Sequence, residues 1–337
     1  SNEWYTGHVL TYSLNKKKNS PFEFPMRNVT FEVSRDIMSP SDDNLQHNKD
    51  NIFMTFRAAT QDEMFLYHRQ RLAFTYETDW GLRFNTGIRW QSNRTAGNLH
   101  YFTLDGNEVK KIRMTDINVG INYNPGVTYV NTKQQRLPIN LDSPEIGISH
   151  TMGFKGFMGG QYHSNITKVS IYKRQWLGSF GYLDFHAVGQ AQWNKVPFPM
   201  LILPPVNLSY FESESSVSLM RDWEFLNDRQ VFASLSWDMN GKLLNRIPLI
   251  KKLKWREYFA VKGVWNNPYL EKSQGDTELF KFPSKSHVMN NTPYWECVAG
   301  VHNIFKFFAV EYVRRLTYLN NEDISKWGIR FGFSMTF

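Results

Sequence analysis

Apolar and polar residues alternate with a period of two along most of the 337-residue chain, and that period predicts strands. In Gly81–Gln91, Leu82, Phe84, Thr86, Ile88 and Trp90 share one face, and Arg83, Asn85, Gly87, Arg89 and Gln91 share the other. Ile117, Val119, Ile121 and Tyr123 stand in the same way against Asn118, Gly120, Asn122 and Asn124. Leu183, Phe185 and Ala187 oppose Asp184 and His186; Val231, Leu235 and Trp237 oppose Gln230, Ser234 and Ser236. Such strands run to about 10–13 residues, enough to cross a bilayer at a tilt, whereas soluble strands average ~5–6. The same reading predicts about 14 strands, at residues 3–14, 27–35, 51–58, 64–78, 81–92, 112–124, 144–158, 162–176, 180–193, 229–240, 256–267, 293–303, 307–318 and 326–337. The predicted fold class is all-β: a transmembrane antiparallel β-barrel filling residues 1–337 as a single domain.

Connections sort into tight ones (Asp79–Trp80, Gly178–Ser179, Asn303–Lys306) and long ones (Lys16–Pro25, Asn194–Asp228, Leu270–Thr292). Short turns on one side and long loops on the other are the expected asymmetry of an outer-membrane barrel. Helical spacing appears only in Gly241–Trp255, where Leu249, Ile250 and Leu253 oppose Lys251, Lys252 and Lys254, and Pro248 suits a first helical turn. A short basic amphipathic element of this kind can lie in a membrane interface with Ile250 and Leu253 in the acyl region and Trp255 at the rim; packing on protein is the alternative. Asn194–Asp228 begins with the apolar, proline-rich run Val196–Val206, costly in open water, which predicts a loop folded over or into the lumen.

The last strand is the sharpest signal. Trp327, Ile329, Phe331, Phe333, Met335 and Phe337 alternate with Gly328, Arg330, Gly332, Ser334 and Thr336. A closing strand needs an apolar lipid face along its whole length, and this one resembles the C-terminal insertion signal of bacterial outer-membrane barrels. Trp80, Trp90, Trp176, Trp193, Trp255, Trp265 and Trp295 fall near predicted strand ends, where amphipathic rings favour membrane interfaces. The inferred inner faces carry Arg57, Arg69, Arg71, Arg83, Arg89, Lys155, Asp184, His186 and Glu311, which line a pore or knit the wall; wall-knitting is favoured.

Composition adjusts this picture little. Aromatics make up 16% of the chain, and a mean hydropathy of −0.48 does not oppose a barrel, because only alternate residues face lipid. The net charge of +8 is dispersed along the chain, which argues against nucleic acid and suits anionic lipid. One cysteine, Cys297, excludes an internal disulfide framework. Nine histidines lack ligand spacing, and no nucleophile elbow, HExxH or phosphate-binding glycine loop occurs. No catalytic residue, metal ligand or cofactor is therefore expected, nor any enzymatic activity. The opening SNEWYTGHVL carries no signal peptide and reads as a trimmed chain.

Asn227–Val264, above all LNRIPLIKKLKWRE (Leu244–Glu257), together with KVPFPMLILP (Lys195–Pro204) and RLPINLDSP (Arg136–Pro144), resembles an uncharacterised outer-membrane family of Bacteroidota. There a carboxypeptidase-regulatory-like domain precedes a barrel related to the outer-membrane assembly and two-partner-secretion superfamily. The resemblance implies sixteen strands, so that the first strands and the periplasmic domain would be absent from this chain. It also implies a lumen loop before the fifth strand from the end, with an Arg-Gly-aromatic tip. That loop falls at Asn194–Asp228, where Arg221-Asp222-Trp223 stands and no such tripeptide occurs, which weakens Arg221 as a plug residue and translocation by analogy. The implied function is assembly, insertion or translocation of outer-membrane components in the bacterial cell outer membrane, without covalent chemistry. Outer-membrane lipid, the barrel assembly machinery and other outer-membrane or periplasmic proteins would be its partners. A passive pore or small-solute transporter is the alternative.

Overall fold

The computed structural model describes residues 5–15, 20–39, 62–131, 136–266 and 279–333. Thirteen strands form one antiparallel sheet: β1 (Thr6–Ser13), β2 (Arg27–Met38), β3 (Glu63–Glu77), β4 (Leu82–Gly97), β5 (Lys111–Tyr123), β8 (Glu145–Gly153), β9 (Ser164–Trp176), β10 (Tyr182–Gln192), β11 (Arg229–Asp238), β12 (Arg256–Asn266), β13 (Tyr294–Ile304), β14 (Phe308–Arg315) and β15 (Trp327–Phe333). Each pairs with its sequence neighbour, apart from a small hairpin of β6 (Tyr129–Asn131) and β7 (Arg136–Pro138) between β5 and β8. All-next-neighbour antiparallel order is that of an up-and-down transmembrane barrel.

Thirteen of the fourteen predicted strands correspond to strands of this sheet; the remaining one, 51–58, lies outside the described residues, as does Arg57. Alternation places one face outward, where Phe31, Leu72, Phe84, Val119, Ile148, Leu235 and Phe259 are exposed, as a lipid-facing band requires. The strand predicted to Met158 ends instead at Gly153. The chain then turns through Gly156 in a left-handed conformation, so Lys155 sits in a connection and not on the inner wall. Trp90 falls mid-strand, donating to the Met158 carbonyl at 3.1 Å. The β6–β7 hairpin was not predicted: each strand is only three residues long, too short to show a period.

Tight turns at 78–81, 177–181 and 304–307 all lie at one end of the sheet, the end towards which β15 runs. At two of them glycine is required. A Cβ on Gly81 (φ 90°) would fall on the Asn124 carbonyl, and one on Gly181 (φ 78°) on that of Asp238. The predicted asymmetry is only partial, because the connections 14–26, 124–144 and 239–255 share this end. The last of them carries helix α1 (Pro248–Leu253), with Pro248 in its first turn as expected. No helix among the described residues is long and apolar enough to cross a membrane, which says nothing about strands.

β1 and β15 are not paired among the described residues. β1 is exposed on both faces, Val9 at 67% and Leu10 at 70%. The free edge of β15 is met by a loop: Glu212 N donates to Phe331 O (2.7 Å) and Phe331 N to Tyr210 O (2.8 Å).

Candidate functional site: the loop inside the lumen

Between β10 and β11, the fifth strand from the end, residues 193–228 turn back into the space enclosed by the sheet. The apolar start of this loop dictates that course. Val196, Phe198, Leu201 and Leu203, with Trp223 and Leu226 from its return limb, pack against Phe65, Tyr67, Leu99, Tyr101, Ile112 and Phe280 at the loop end. Phe198 lies edge-on to Tyr101 (5.6 Å) and Trp223 (5.4 Å). Deeper, Val206, Leu208, Val217, Met220 and Phe225 pack on Phe232, Val264 and Tyr294 of the β11–β13 wall and on Met289 of the connection before β13. Leu219 continues the contact onto Tyr258, Ala260, Val298 and Val313.

Buried charges fix the register. Lys262 on β12, fully buried, forms an ion pair with Glu212 and donates to the carbonyls of Ser213 (2.6 Å) and Ser216 (2.9 Å). Glu296 on β13 accepts the backbone N–H groups of Ser218 (2.9 Å) and Leu219 (2.7 Å) and the Tyr294 hydroxyl. Arg315 on β14 grips Glu224 with both terminal guanidinium nitrogens, Nη1 and Nη2, and Arg330 on β15 donates to the Ser218 carbonyl at 2.6 Å. Glu214, at the far end of the loop, accepts from Ser236 Oγ and Tyr258 Oη, both at 3.1 Å. Ser236 and Tyr258 lie two residues from the tight-turn ends of β11 and β12, so the loop runs nearly the depth of the lumen. Burial, reinforced by the nearby Asp184 charge, pushes the Glu214 carboxyl above its ordinary range.

The opposite wall is polar. Arg89 pairs with Asp116 at 2.9 Å on β4–β5, and Arg174 with Asp184 at 2.5 Å on β9–β10. A cavity of about 350 Å³ remains between Met200–Leu203 of the loop and the side chains of Asn118, Thr151, Lys168 and Gln190. At the tight-turn end, Arg136 of β7 grips Glu77 of β3 at 2.5 and 2.9 Å and docks the small hairpin there. Inner-face charges thus tie loop and wall together.

The residues singled out from sequence are placed as follows. Trp327 and Ile329 are outward and exposed, and Phe333 stacks on Phe211 (5.4 Å) and Phe307 (6.0 Å). Phe331 faces Phe308 at 5.6 Å; Met335 and Phe337 lie outside the described residues. Arg221 lies in the loop, where Nη2 donates to Lys285 O at 2.6 Å and Nη1 stands 3.6 Å from Glu63; the loop side chain that Arg315 grips is Glu224. Ile250, Leu253 and Trp255 sit on or beside α1, which buries none of its residues. Lys262, Glu296 and Arg315 were missed, although each occupies a polar position within an alternating strand. Among the described residues, no three His, Cys, Asp or Glu side chains are placed to hold a metal.

A sequence model described as "Family of unknown function (DUF5686) C-terminal domain" matches residues 3–275. No curated protein matches the chain. Among solved structures the chain is similar to BamA from Haemophilus ducreyi lacking POTRA domains 1–3, with a TM-score of 0.51 and 10% identity over 97% of this chain and 62% of that one. It also resembles CdiB from Escherichia coli, with a TM-score of 0.48 and 12% identity over 90% of this chain and 49% of that one. The chain therefore spans less than two thirds of the length of either protein. The BamA likeness shows the fold, that of an outer-membrane β-barrel.

Proposed function

The chain belongs to the DUF5686 C-terminal-domain family, and on that premise we propose that it is a plugged barrel of the bacterial outer membrane. It assists assembly, insertion or translocation of outer-membrane components and performs no covalent chemistry. The observation that carries this reading is the loop 193–228, held along the β11–β15 wall by Lys262, Glu296, Arg315 and Arg330. A passive pore gains nothing from filling its own lumen, whereas a barrel that handles a polypeptide or lipid at its wall tolerates a plug. The partners in this reading are outer-membrane lipid, the barrel assembly machinery during insertion, and neighbouring outer-membrane or periplasmic proteins. The carboxypeptidase-regulatory-like domain of the Bacteroidota family belongs to the same reading.

Planar-bilayer recording of the purified protein tests it, joined to a pull-down from native membranes. The expected result is no steady conductance and co-purification of defined envelope proteins. Steady ohmic conductance with no partner recovered overturns the proposal in favour of a small-solute pore.

A further inference from the structure

Beside the docked loop, the inner face of β5–β10 carries mostly neutral groups in register. Asn118 stands directly opposite Thr151, and Gly120, Ser149, Lys168 and Gln190 form the next row across β5, β8, β9 and β10. Residues directly opposite in an antiparallel ladder share a face. Two glycines keep this wall shallow. A Cβ on Gly120 would press on that of Ser149, and one on Gly153 would fall on the Ser164 hydroxyl. The space so left is the cavity of about 350 Å³, bounded on its other side by residues 199–203 of the loop.

The polar wall is only partly satisfied by itself. Asn118 donates to Thr151 at 2.7 Å, Gln91 to Asn93 at 2.8 Å, and Gln190 accepts from Gln230 at 3.1 Å. Each pair leaves an amide atom over: Asn118 Oδ1, Asn93 Nδ2 and Gln190 Nε2 have no partner among the described residues. The hydroxyls of Ser149 and Ser164 have none there either, although Ser164 is only 6% exposed. Buried polar groups are rarely left so, which marks the cavity as a place for an occupant. The loop side offers only Pro, Met, Leu and Ile side chains. Charge is cancelled within the lining, since Arg89 and Asp116 pair at 2.9 Å and Lys168 is not a free cation. The occupant is therefore neutral, with donors and acceptors mixed along one side and an apolar surface on the other. A pyranose has that build: hydroxyls, each donor and acceptor, around its rim and C–H groups on its faces. A peptide fits less well, because the backbone groups of these strands are spent in the sheet and leave no edge to add to. The volume lies at the lower end of the ~300–1,000 Å³ usual for small-molecule sites, which suits one or two sugar rings.

We infer that this luminal cavity binds a neutral mono- or disaccharide. Asn118, Ser149, Ser164 and Gln190 meet its hydroxyls, and loop residues 199–203 cover a ring face. Binding here is independent of the assembly role proposed above and needs only the docked loop.

Equilibrium dialysis of radiolabelled glucose, maltose and lactose tests this, with the folded protein held in an amine-oxide detergent that carries no sugar. At least one of the three should be retained saturably by wild-type protein. Unlabelled sugar should displace it, whereas glucuronate and glucosamine, of similar size but charged, should compete about tenfold less well or worse. Asn118→Leu/Ser149→Val should weaken retention by about tenfold or more, and Lys251→Gln/Lys252→Gln, on α1 away from the cavity, should leave it unchanged. No saturable retention of any of the three sugars overturns the proposal. Equal competition by the charged sugars overturns it too, and that comparison uses wild-type protein alone and needs no variant to fold. Stronger displacement by N-acetyl-trialanine amide than by unlabelled sugar overturns it in favour of a peptide site.

Discussion

Arg315 of β14 donates to Glu224 of the luminal loop at 2.6 and 3.0 Å, and the two side chains are 0% and 1% exposed. Asn321 adds a third donor to the same carboxylate at 2.7 Å. Removing one partner leaves an uncompensated buried charge, at a cost of about 3–5 kcal/mol. Arg315→Met or Glu224→Leu alone should release the loop, seen as a lower denaturant midpoint and new steady conductance in bilayers. The double variant should recover most of the loss, because an apolar pair of similar volume removes both charges. Equal instability of the double and single variants would show that the pair does not hold the loop.

The loop should also resist protease on intact cells. Phe198, Leu201, Val206 and Leu208 are 6% exposed or less, so cleavage within Pro197–Leu208 requires undocking. Rapid cleavage there in the wild type, at a rate matching a released variant, would contradict the docked loop.

Glu214 gives docking a pH dependence. Its carboxyl is pushed above the ordinary 4.5 by burial first and by Asp184 second, so the docked loop holds the proton more tightly than a free one. This contribution to docking is complete below the ordinary value and is lost as pH rises through the raised one. Loop release, followed by protease sensitivity, should become easier over that rising interval. Glu214→Gln should flatten the profile; an unchanged slope in that variant would assign the dependence elsewhere.

The outward face of the last strand should tolerate no charge. Phe333, against Phe211 and Phe307, and the exposed Ile329 lie on the lipid side. Ile329→Arg, opposite Tyr312 in the middle of β14, should block assembly, at about 2–4 kcal/mol for a charge near the midplane, whereas Ser149→Asn in the luminal cavity should assemble normally. Heat-modifiable mobility on gels reads both, and identical behaviour of the two would refute the assignment of faces.

At the tight-turn end, Leu249 is 79% exposed and Leu253 51%, beside the exposed Lys251, Lys252 and Lys254. An apolar flank with flanking cations suits the interface of a leaflet with anionic headgroups, worth roughly 1 kcal/mol per lysine. Photo-crosslinkers at Ile250 and Leu253 should give phospholipid adducts in native membranes. Adducts to protein alone would mean that α1 docks on a neighbouring domain.

By itself the sequence determined the strands and their two faces. Side chains in a strand alternate by local geometry, so Phe84 and Ile121 announce the lipid side and Arg89 and Asp116 the lumen wherever they fold. Pro248 and the spacing of Leu249, Ile250 and Leu253 foretold α1 for the same local reason. The apolar run from Val196 to Val206 signalled that the loop would be covered, but not by what. Only the tertiary structure decided that. Glu224 and Arg315 are 91 residues apart, and Ser218 and Glu296 are 78 apart; no period links such pairs. Their meeting depends on how far the sheet curls and how deep the loop reaches. Those are set by the sum of packing on Phe232, Val264 and Tyr294, not by any one segment.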